Sequence, residues 1–380
     1  MSLPLEGLLV ADFSQVLAGP LAAMMLADLG AIVIKVERPR VGDDTRQWGP
    51  PWTDNSSSYF EAANRSKKSV ELDLSDQKDL QLARELARRA DVLLENYRDG
   101  SLAGKGLGYD QVAAQNPSIV YASITGFGSR GGRDLPGYDF LVQAVGGLMS
   151  ITGMPGEPMK VGVALVDVLT AKDAVIGILA ALRARESDGT GQRVEVNLLS
   201  SLLGSLANQA SAYLATANTP ASMGNRHPSI APYETLAAED GHLAVCCGND
   251  EQFQKLTAVL GIPGTADDAR FASNSARVTN RDDLVRVLEA ALAVDAVDVW
   301  TARLASVGVP AGRVGSIADA FALAARLGLE PTVSVGPETP PQTRNPITLS
   351  KTPLTRYAAP PQLGEHNHDV RRWLTDETDR

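Results

Sequence analysis

The stretch Leu5–Pro39, "LEGLLVADFSQVLAGPLAAMMLADLGAIVIKVERP", decides the fold. The apolar run over Leu8–Asp12 predicts a strand, Pro20–Leu29 a helix and Ile32–Glu37 a second strand. Pro20 suits a first helical turn, where its missing N–H costs nothing, and Gly30 suits a helix stop. The alternation continues downstream. "KSVELDL", "DVLLEN" and "SIVYASIT" read as strands, with a helix over Gln77–Ala90 between the first two. Strands separated by helices cannot be joined by hairpins, so they pair in parallel with the helices packed on the sheet faces. The expected fold class is α/β: a large Rossmann-like parallel-sheet domain plus a smaller α+β domain.

Composition bounds what such a chain can do. It has 380 residues, 44% of them hydrophobic and 21% charged, enough for one large core and one smaller one. There are 45 acidic and 35 basic residues, a net charge of −10, which argues against nucleic acid as a partner. The opening residues lack a basic, apolar leader, and no apolar stretch of spanning length is free of charges, so no membrane association is expected. The two cysteines, Cys246 and Cys247, are adjacent on an expected strand and point to opposite faces; neither a disulfide nor a metal site is favoured. A cytoplasmic location is the economical expectation.

We place the large domain at 1–215. The stretch "ATANTPASMGNRHPSIAPYE" marks a boundary, being rich in Pro, Ser, Asn and Thr. A small domain follows at 225–325, opening with the hairpin "TLAAEDGHLAVCCGN" and continuing as helices from Asp250 to about Ser306. The Pro-rich segment 326–380 is punctuated by apolar residues. It is expected to run back across the large domain and end in a helix at Asp369–Leu374.

One carboxylate breaks the apolar pattern. In "VGVALVDVLTAKDAVIGILAAL", Val161–Leu182, Asp167 precedes a segment apolar on nearly every face, which reads as a largely buried helix. Asp is a favoured helix N-cap, and that is the plainer account of it. A carboxylate at a helix start among small neighbours, with water restricted, is also a possible nucleophile.

Other chemistries lack support. The turn "FSQVLAGP" has no glycine pattern for a pyrophosphate, although Glu37 stands where a ribose-binding acid would. "GFGSRG", Gly126–Gly131, is followed by Gly and Pro where a helix should open. No G-x-S-x-G elbow occurs. The pair His366 and His368 in "EHNH" lacks metal-ligand spacing and reads as a solvated tail; no metal is expected. Arg38 after the second strand, and Asn96, Tyr97 and Arg98 after "DVLLE", stand at strand ends, where open α/β sheets bind ligands.

Taken together, these residues resemble the class III CoA-transferases, the group that includes formyl-CoA transferase, carnitine CoA-transferase and α-methylacyl-CoA racemase. The resemblance runs through the opening unit, "FEAANRSKKSVELDL", "DVLLENYRDGSLAGKGLG", "GYDFLVQAVGGLMSITG", the Asp167 segment with "DGTGQRVEVNLL", and "LGEHNHDV". It implies an interlocked homodimer acting on an acyl-CoA and a small carboxylic acid, with CoA as substrate and no permanently bound cofactor. It places the nucleophilic aspartate at Asp167, and it places Val16, Leu17, Ala18, Arg38, Leu72, Asn96, Tyr97, Arg98 and Tyr138 around the CoA. Gly104 stands where some members carry an arginine, and Lys105, next to it, is taken as a further CoA-binding candidate.

The implied route forms an aspartyl mixed anhydride and then an aspartyl-CoA thioester, with Gly146, Gly147 and Gly248 as candidate suppliers of oxyanion-binding N–H groups. Tyr138 stands where the racemases carry a catalytic His, and phenol is a poor base near neutrality. This favours transfer over racemisation. "HPSIAPYETLAAEDGHLAVCCGNDEQF" is similar to members that use dicarboxylic acids. The alternatives are a 2-methylacyl-CoA racemase and a non-catalytic acyl-CoA binding protein.

Overall fold

The computed structural model describes residues 2–53, 56–337 and 339–376. They form two compact units. The first comprises Met1–Leu148, Lys160–Asn218 and Glu330–Arg380, and the second Met149–Met159 with Thr219–Leu329.

The first unit is built on a six-stranded sheet: β1 (Leu9–Asp12), β2 (Ile32–Glu37), β3 (Lys67–Glu71), β4 (Val92–Glu95), β5 (Val120–Thr125) and β6 (Arg193–Asn197). The order is β3-β2-β1-β4-β5-β6, and every neighbouring pair is parallel. Helices α1 (Ala18–Asp28), α2 (Gln77–Arg89), α3 (Asp139–Val145), α4 (Leu165–Asp188), α5 (Leu198–Ser205) and α6 (Asn367–Thr375) surround it.

Side chains alternate between faces along each strand, and both faces are covered. Val10, Val33, Leu94 and Ala122 pack against Ala22, Ala23 and Leu26 of α1 and Ala171, Ala174 and Ile178 of α4. Ala11, Ile34, Leu93 and Tyr121 turn to the other face and meet Leu80, Ala83 and Leu86 of α2 and Val370 and Leu374 of α6. Helix α4 is buried along one stripe rather than all round; Lys172, Asp173 and Ile176 face outward.

The chain winds from β1 towards β3 on one side and resumes at β4 on the other. The crevice beyond the carboxyl ends of β1 and β4 is therefore a topological switch point, where ligands bind in this architecture.

The C-terminal segment is ordered against this unit. Arg65 pairs with the buried Asp28 (2.6 Å) and donates to Thr343 O (2.9 Å). "EHNH" is not a solvated tail: His366 Nδ1 accepts the Ser69 N–H (3.3 Å), and Asn367 accepts the Glu71 N–H (2.7 Å) and donates to its carboxylate (2.8 Å). The reason is that β3 is a sheet edge, whose free N–H groups these side chains satisfy.

In the second unit, β7 (Tyr233–Ala238) and β8 (Gly241–Cys246) form an antiparallel hairpin, and β9 (Ala311–Arg313) completes the sheet. Phe253, Leu256, Leu284, Leu288, Trp300 and Leu304 from its helices fill the core. The segment 149–159 belongs here, a place that its sequence did not reveal. Cys246 and Cys247 are free thiols, and burial pushes Cys247 up to about 12. Among the described residues, no helix is long and apolar enough to cross a membrane, and no group of three or more His, Cys, Asp or Glu side chains is arranged to hold a metal.

Candidate active site

A cavity of about 440 Å³ opens at the switch point. Its walls are the turns after β1 and β4, the end of β5, the loop 132–138, Asp167 and Leu198.

Buried charge sets the first wall. Asp12, the last residue of β1, accepts the Ser14 N–H (3.0 Å) and pairs with Lys67 (2.9 Å). Lys35 Nζ donates to Ser14 O (2.8 Å) and to Asp43 (3.0 Å), and Asp43 in turn accepts the Val16 N–H (3.2 Å). All four charged side chains are buried. Burial pulls Lys67 down to about 8.

This network holds Val16 at φ 71°, a left-handed conformation that a β-branched residue adopts at a cost of about 1–3 kcal/mol. Gly19 is needed beneath it, since a Cβ there would lie 2.2 Å from that of Ser14. Glu37, which resembled a ribose ligand, is buried and paired with Arg46 (2.6 Å).

The second wall is stitched to the first. Asn96 Oδ1 accepts the Gln15 N–H (2.8 Å), its Nδ2 donates to Gln15 O (2.7 Å), and Gln15 Nε2 donates to the Tyr97 hydroxyl (3.3 Å). At the rim, Arg98 pairs with Asp134 (2.9 Å) and Arg133 with Asp99 (3.0 Å). Both arginines are more than half exposed and so within reach of solute anions. The loop crosses the end of β5 at Gly126 and Gly137, where a Cβ on Gly126 would lie 2.5 Å from the Gly137 Cα. No other residue type fits such a crossing.

Asp167 lies in the first turn of α4 but is not its cap. The cap position is Ala164, without a side-chain bond, and Asp139 supplies the missing acceptor by taking the Val166 N–H (2.8 Å). Asp139 is itself braced by Gln143 Nε2 (2.7 Å). The Asp167 carboxylate is thereby left with no hydrogen-bond partner among the described residues. It is 9% exposed. Burial, then the Asp139 charge, pushes it up to about 7. A carboxylate placed in a helix's first turn would ordinarily be favoured in its charged form; here the loss of solvent outweighs that. The same environment raises Tyr59, through burial and then the charges of Asp167, Asp139 and Asp43.

Of the residues singled out in the sequence, Val16, Leu17, Ala18, Asn96, Tyr97, Arg98, Tyr138 and Asp167 line this cavity. Three do not. Arg38 pairs with Asp44, which does line it. Leu72 is buried in the core against the α2 face. Lys105 Nζ donates to Leu74 O (3.0 Å).

Two of these glycines, Gly146 and Gly248, have other duties. A Cβ on Gly146 would lie 2.5 Å from Leu202, so it serves helix packing; Gly147 sits at φ 88°; and the Gly248 N–H is taken by Gln252 (2.7 Å). Sequence reasoning missed Gln15, Asp139 and Tyr59. Their signal was faint: a polar turn residue, an acid on a short helix, and an aromatic in a loop-rich stretch.

Comparison with known proteins agrees with this geometry. Residues 5–367 match the model of CoA-transferase family III. The chain is 44% identical to the succinate–glutarate CoA-transferase of Agrobacterium fabrum, over 97% of this chain and 94% of that protein. It is 39% identical to the succinyl-CoA:glutarate CoA-transferase of Mus musculus, over 97% of this chain and 85% of the mouse protein. Among solved structures, a CaiB/BaiF family protein from Brucella suis superposes with a TM-score of 0.89 at 44% identity, covering 98% of this chain and all of that one. The chain belongs to CoA-transferase family III and is a CoA-transferase enzyme.

Proposed function

We propose that the protein moves CoA from an acyl-CoA donor to a small dicarboxylic acid, with Asp167 as the nucleophile. The observation that carries this is the state of that carboxylate: buried, without a hydrogen-bond partner, raised to about 7, and facing a cavity at the switch point. A carboxylate of raised basicity, stripped of water and of donors, is more nucleophilic than a solvated one. Its relatives' names speak for succinate and glutarate as the acids exchanged.

The route has four balanced steps. The Asp167 oxygen attacks the thioester carbonyl; a C–O bond forms, the C–S bond breaks, and CoA leaves as thiolate. The thiolate attacks the Asp167 carbonyl of the mixed anhydride, giving an aspartyl-CoA thioester and the free donor acid. The acceptor carboxylate then attacks that thioester and expels the thiolate again. Finally the thiolate takes the new acyl group from the second anhydride and restores Asp167. The thioester bond is conserved throughout, so the exchange consumes no ATP.

The turns after β1 and β4 would hold the CoA, with Arg98 and Arg133 meeting its phosphates. The first unit would thus bind CoA and carry the chemistry. Homodimeric assembly and a cytoplasmic location belong to the same reading. Phe140 and Val145 of α3, Ile176 of α4 and Leu203 of α5 expose apolar side chains that a second copy would cover, and light scattering on the purified protein tests this.

The deciding experiment is to incubate the protein with succinyl-CoA, trap with hydroxylamine, and locate any adduct by peptide mass. A hydroxamate on Asp167, formed only with acyl-CoA present, supports the route, and a panel of acids then identifies the acceptor. No adduct, combined with solvent deuterium entering the α-carbon of a 2-methylacyl-CoA, would make the protein a racemase instead.

A further inference from the structure

Behind the CoA-facing turn lies a second cavity, of about 330 Å³. Arg98 and Asp99 border both cavities, so the turn after β4 is the wall between them. Glu95 lines the second cavity only. It is the last residue of β4, paired in register with Ser123 of β5, and it is 9% exposed. Alternation along the strand gives Leu94 to the α1 face and Leu93, with Glu95, to the other. A charge-bearing group buried beside Leu102 and Tyr121 is expensive unless it does something there. What it does is visible: Glu95 Oε2 accepts the Tyr97 N–H at 2.8 Å, closing the first bend of the turn.

We infer that Glu95 is a positioning residue for CoA, holding the Asn96–Arg98 turn from behind in the shape that receives CoA, and holding it more tightly when ionised. The inference rests on the reading that the first cavity takes CoA. Two acceptors fix the turn: Asn96 ties it forward to Gln15, and Glu95 ties it backward through Tyr97. Only Glu95 can titrate. Burial pushes its carboxyl up to about 7, against the pull of the Ser123 hydroxyl, the Tyr97 N–H and Arg193, with Asp99 adding to the push.

The other charged or titratable groups near this face are Arg98 on the turn, Tyr109 and Asp110 on the following helix, Tyr121 on β5, and Glu195 on β6 opposite Ser123. None of them donates to or accepts from the Glu95 carboxylate. An N–H bonded to a carboxylate is held roughly twice as strongly as one bonded to a neutral oxygen. The turn should therefore stiffen, and CoA should bind more tightly, as pH rises through neutrality.

The test uses the full chain carrying Asp167→Asn, which removes the Asp167 carboxyl, likewise pushed up to about 7. CoA affinity is measured by calorimetry from pH 6 to 8, with and without Glu95→Gln, a substitution that keeps the acceptor and abolishes the charge. The phosphates of CoA titrate alike in both proteins, so the difference between the two profiles reports Glu95.

With Glu95 present, affinity should rise by about fivefold more across this range than with Gln, the ratio expected between a charge-assisted and a neutral hydrogen bond. Glu95→Ala, with no acceptor, should bind more weakly than Gln at every pH. Parallel profiles for Glu and Gln, or equal affinity for Gln and Ala, would overturn the inference while leaving the CoA site intact. Absence of CoA binding at any pH would overturn both readings together.

Discussion

Replacing Asp167 by Asn should make this protein more stable and catalytically dead, and the gain should depend on pH. An unfolded aspartate titrates near 3.9; in the folded chain it is pushed up to about 7. Between those values the folded state holds a proton that the unfolded state has released. Stability contributed by this group is therefore complete below about pH 4 and is lost progressively as pH rises towards 7, the reverse of a salt-bridged carboxylate.

At about 1.36 kcal/mol per pH unit the full loss is about 4 kcal/mol. Two-state linkage puts the smaller part of it at pH 5 and the whole at pH 8, so about 2–3 kcal/mol separates the two conditions. Asn carries no charge and loses none of this. The melting temperature of Asp167→Asn should accordingly pull ahead of the parent by roughly 5 °C more at pH 8 than at pH 5, on the usual scaling for units of this size. Paired thermal melts at the two pH values, with hydroxamate formation measured in parallel, decide the matter. A gap that is constant with pH refutes the buried, proton-retaining carboxylate, and a gap that narrows with rising pH means the site stabilises the anion.

Two further outcomes follow from the same geometry. Asp139→Asn removes the like charge facing Asp167 but keeps an acceptor for the Val166 N–H, so the Asp167 carboxyl should ionise at lower pH; the midpoint of the pH profile for hydroxamate formation should move down, and an unmoved midpoint would dismiss the coupling. Gly137→Ala would drive a Cβ to 2.4 Å from the Gly126 Cα, a backbone atom that cannot step aside; urea denaturation should show a loss of about 1–3 kcal/mol and CoA binding should weaken, whereas a tolerated Ala would mean the loop crossing is not fixed.

The strands and their neighbours were legible because the signals are local. Val10 and Leu94 face one way and Ala11 and Leu93 the other, and runs of this kind, buried on both faces, announce a parallel sheet before any contact is known. Asp167 was legible for the opposite reason, as a charge in apolar surroundings, but its role as a cap was misread. Capping depends on which acceptor reaches the open N–H groups, and that acceptor, Asp139, comes from a separate short helix that only the folded chain brings near. Glu95 stayed hidden for a like reason. A glutamate at the end of a strand beside Asn and Tyr reads as solvated rim, whereas Glu95 is 9% exposed and lines a cavity with Leu102 and Tyr121. The docking of "EHNH" on β3 and the allotment of 149–159 to the second unit are likewise long-range facts.

Two of the raised carboxyls, Asp167 and Glu95, belong to opposite arrangements, and the difference bears on what each can do. Glu95 is buried with a donor aimed at it, so its ionisation strengthens a bond that already exists and can be felt only as a stiffer turn. Asp167 is buried with no hydrogen bond among the described residues: the Val166 N–H goes to Asp139, and the Gln143 amide donates to Asp139 and to Val163 O. No hydrogen bond among the described residues strengthens when Asp167 ionises, and in the proposed route its raised basicity is directed at the electrophilic carbon of an incoming acyl-CoA. A cap would have spent that basicity on the helix, because an N–H bonded to the carboxylate lowers both its pKa and its nucleophilicity. With the capping duty taken by Asp139, Asp167 keeps the unbonded carboxylate that the proposed nucleophilic role requires, at the cost of a like charge close by.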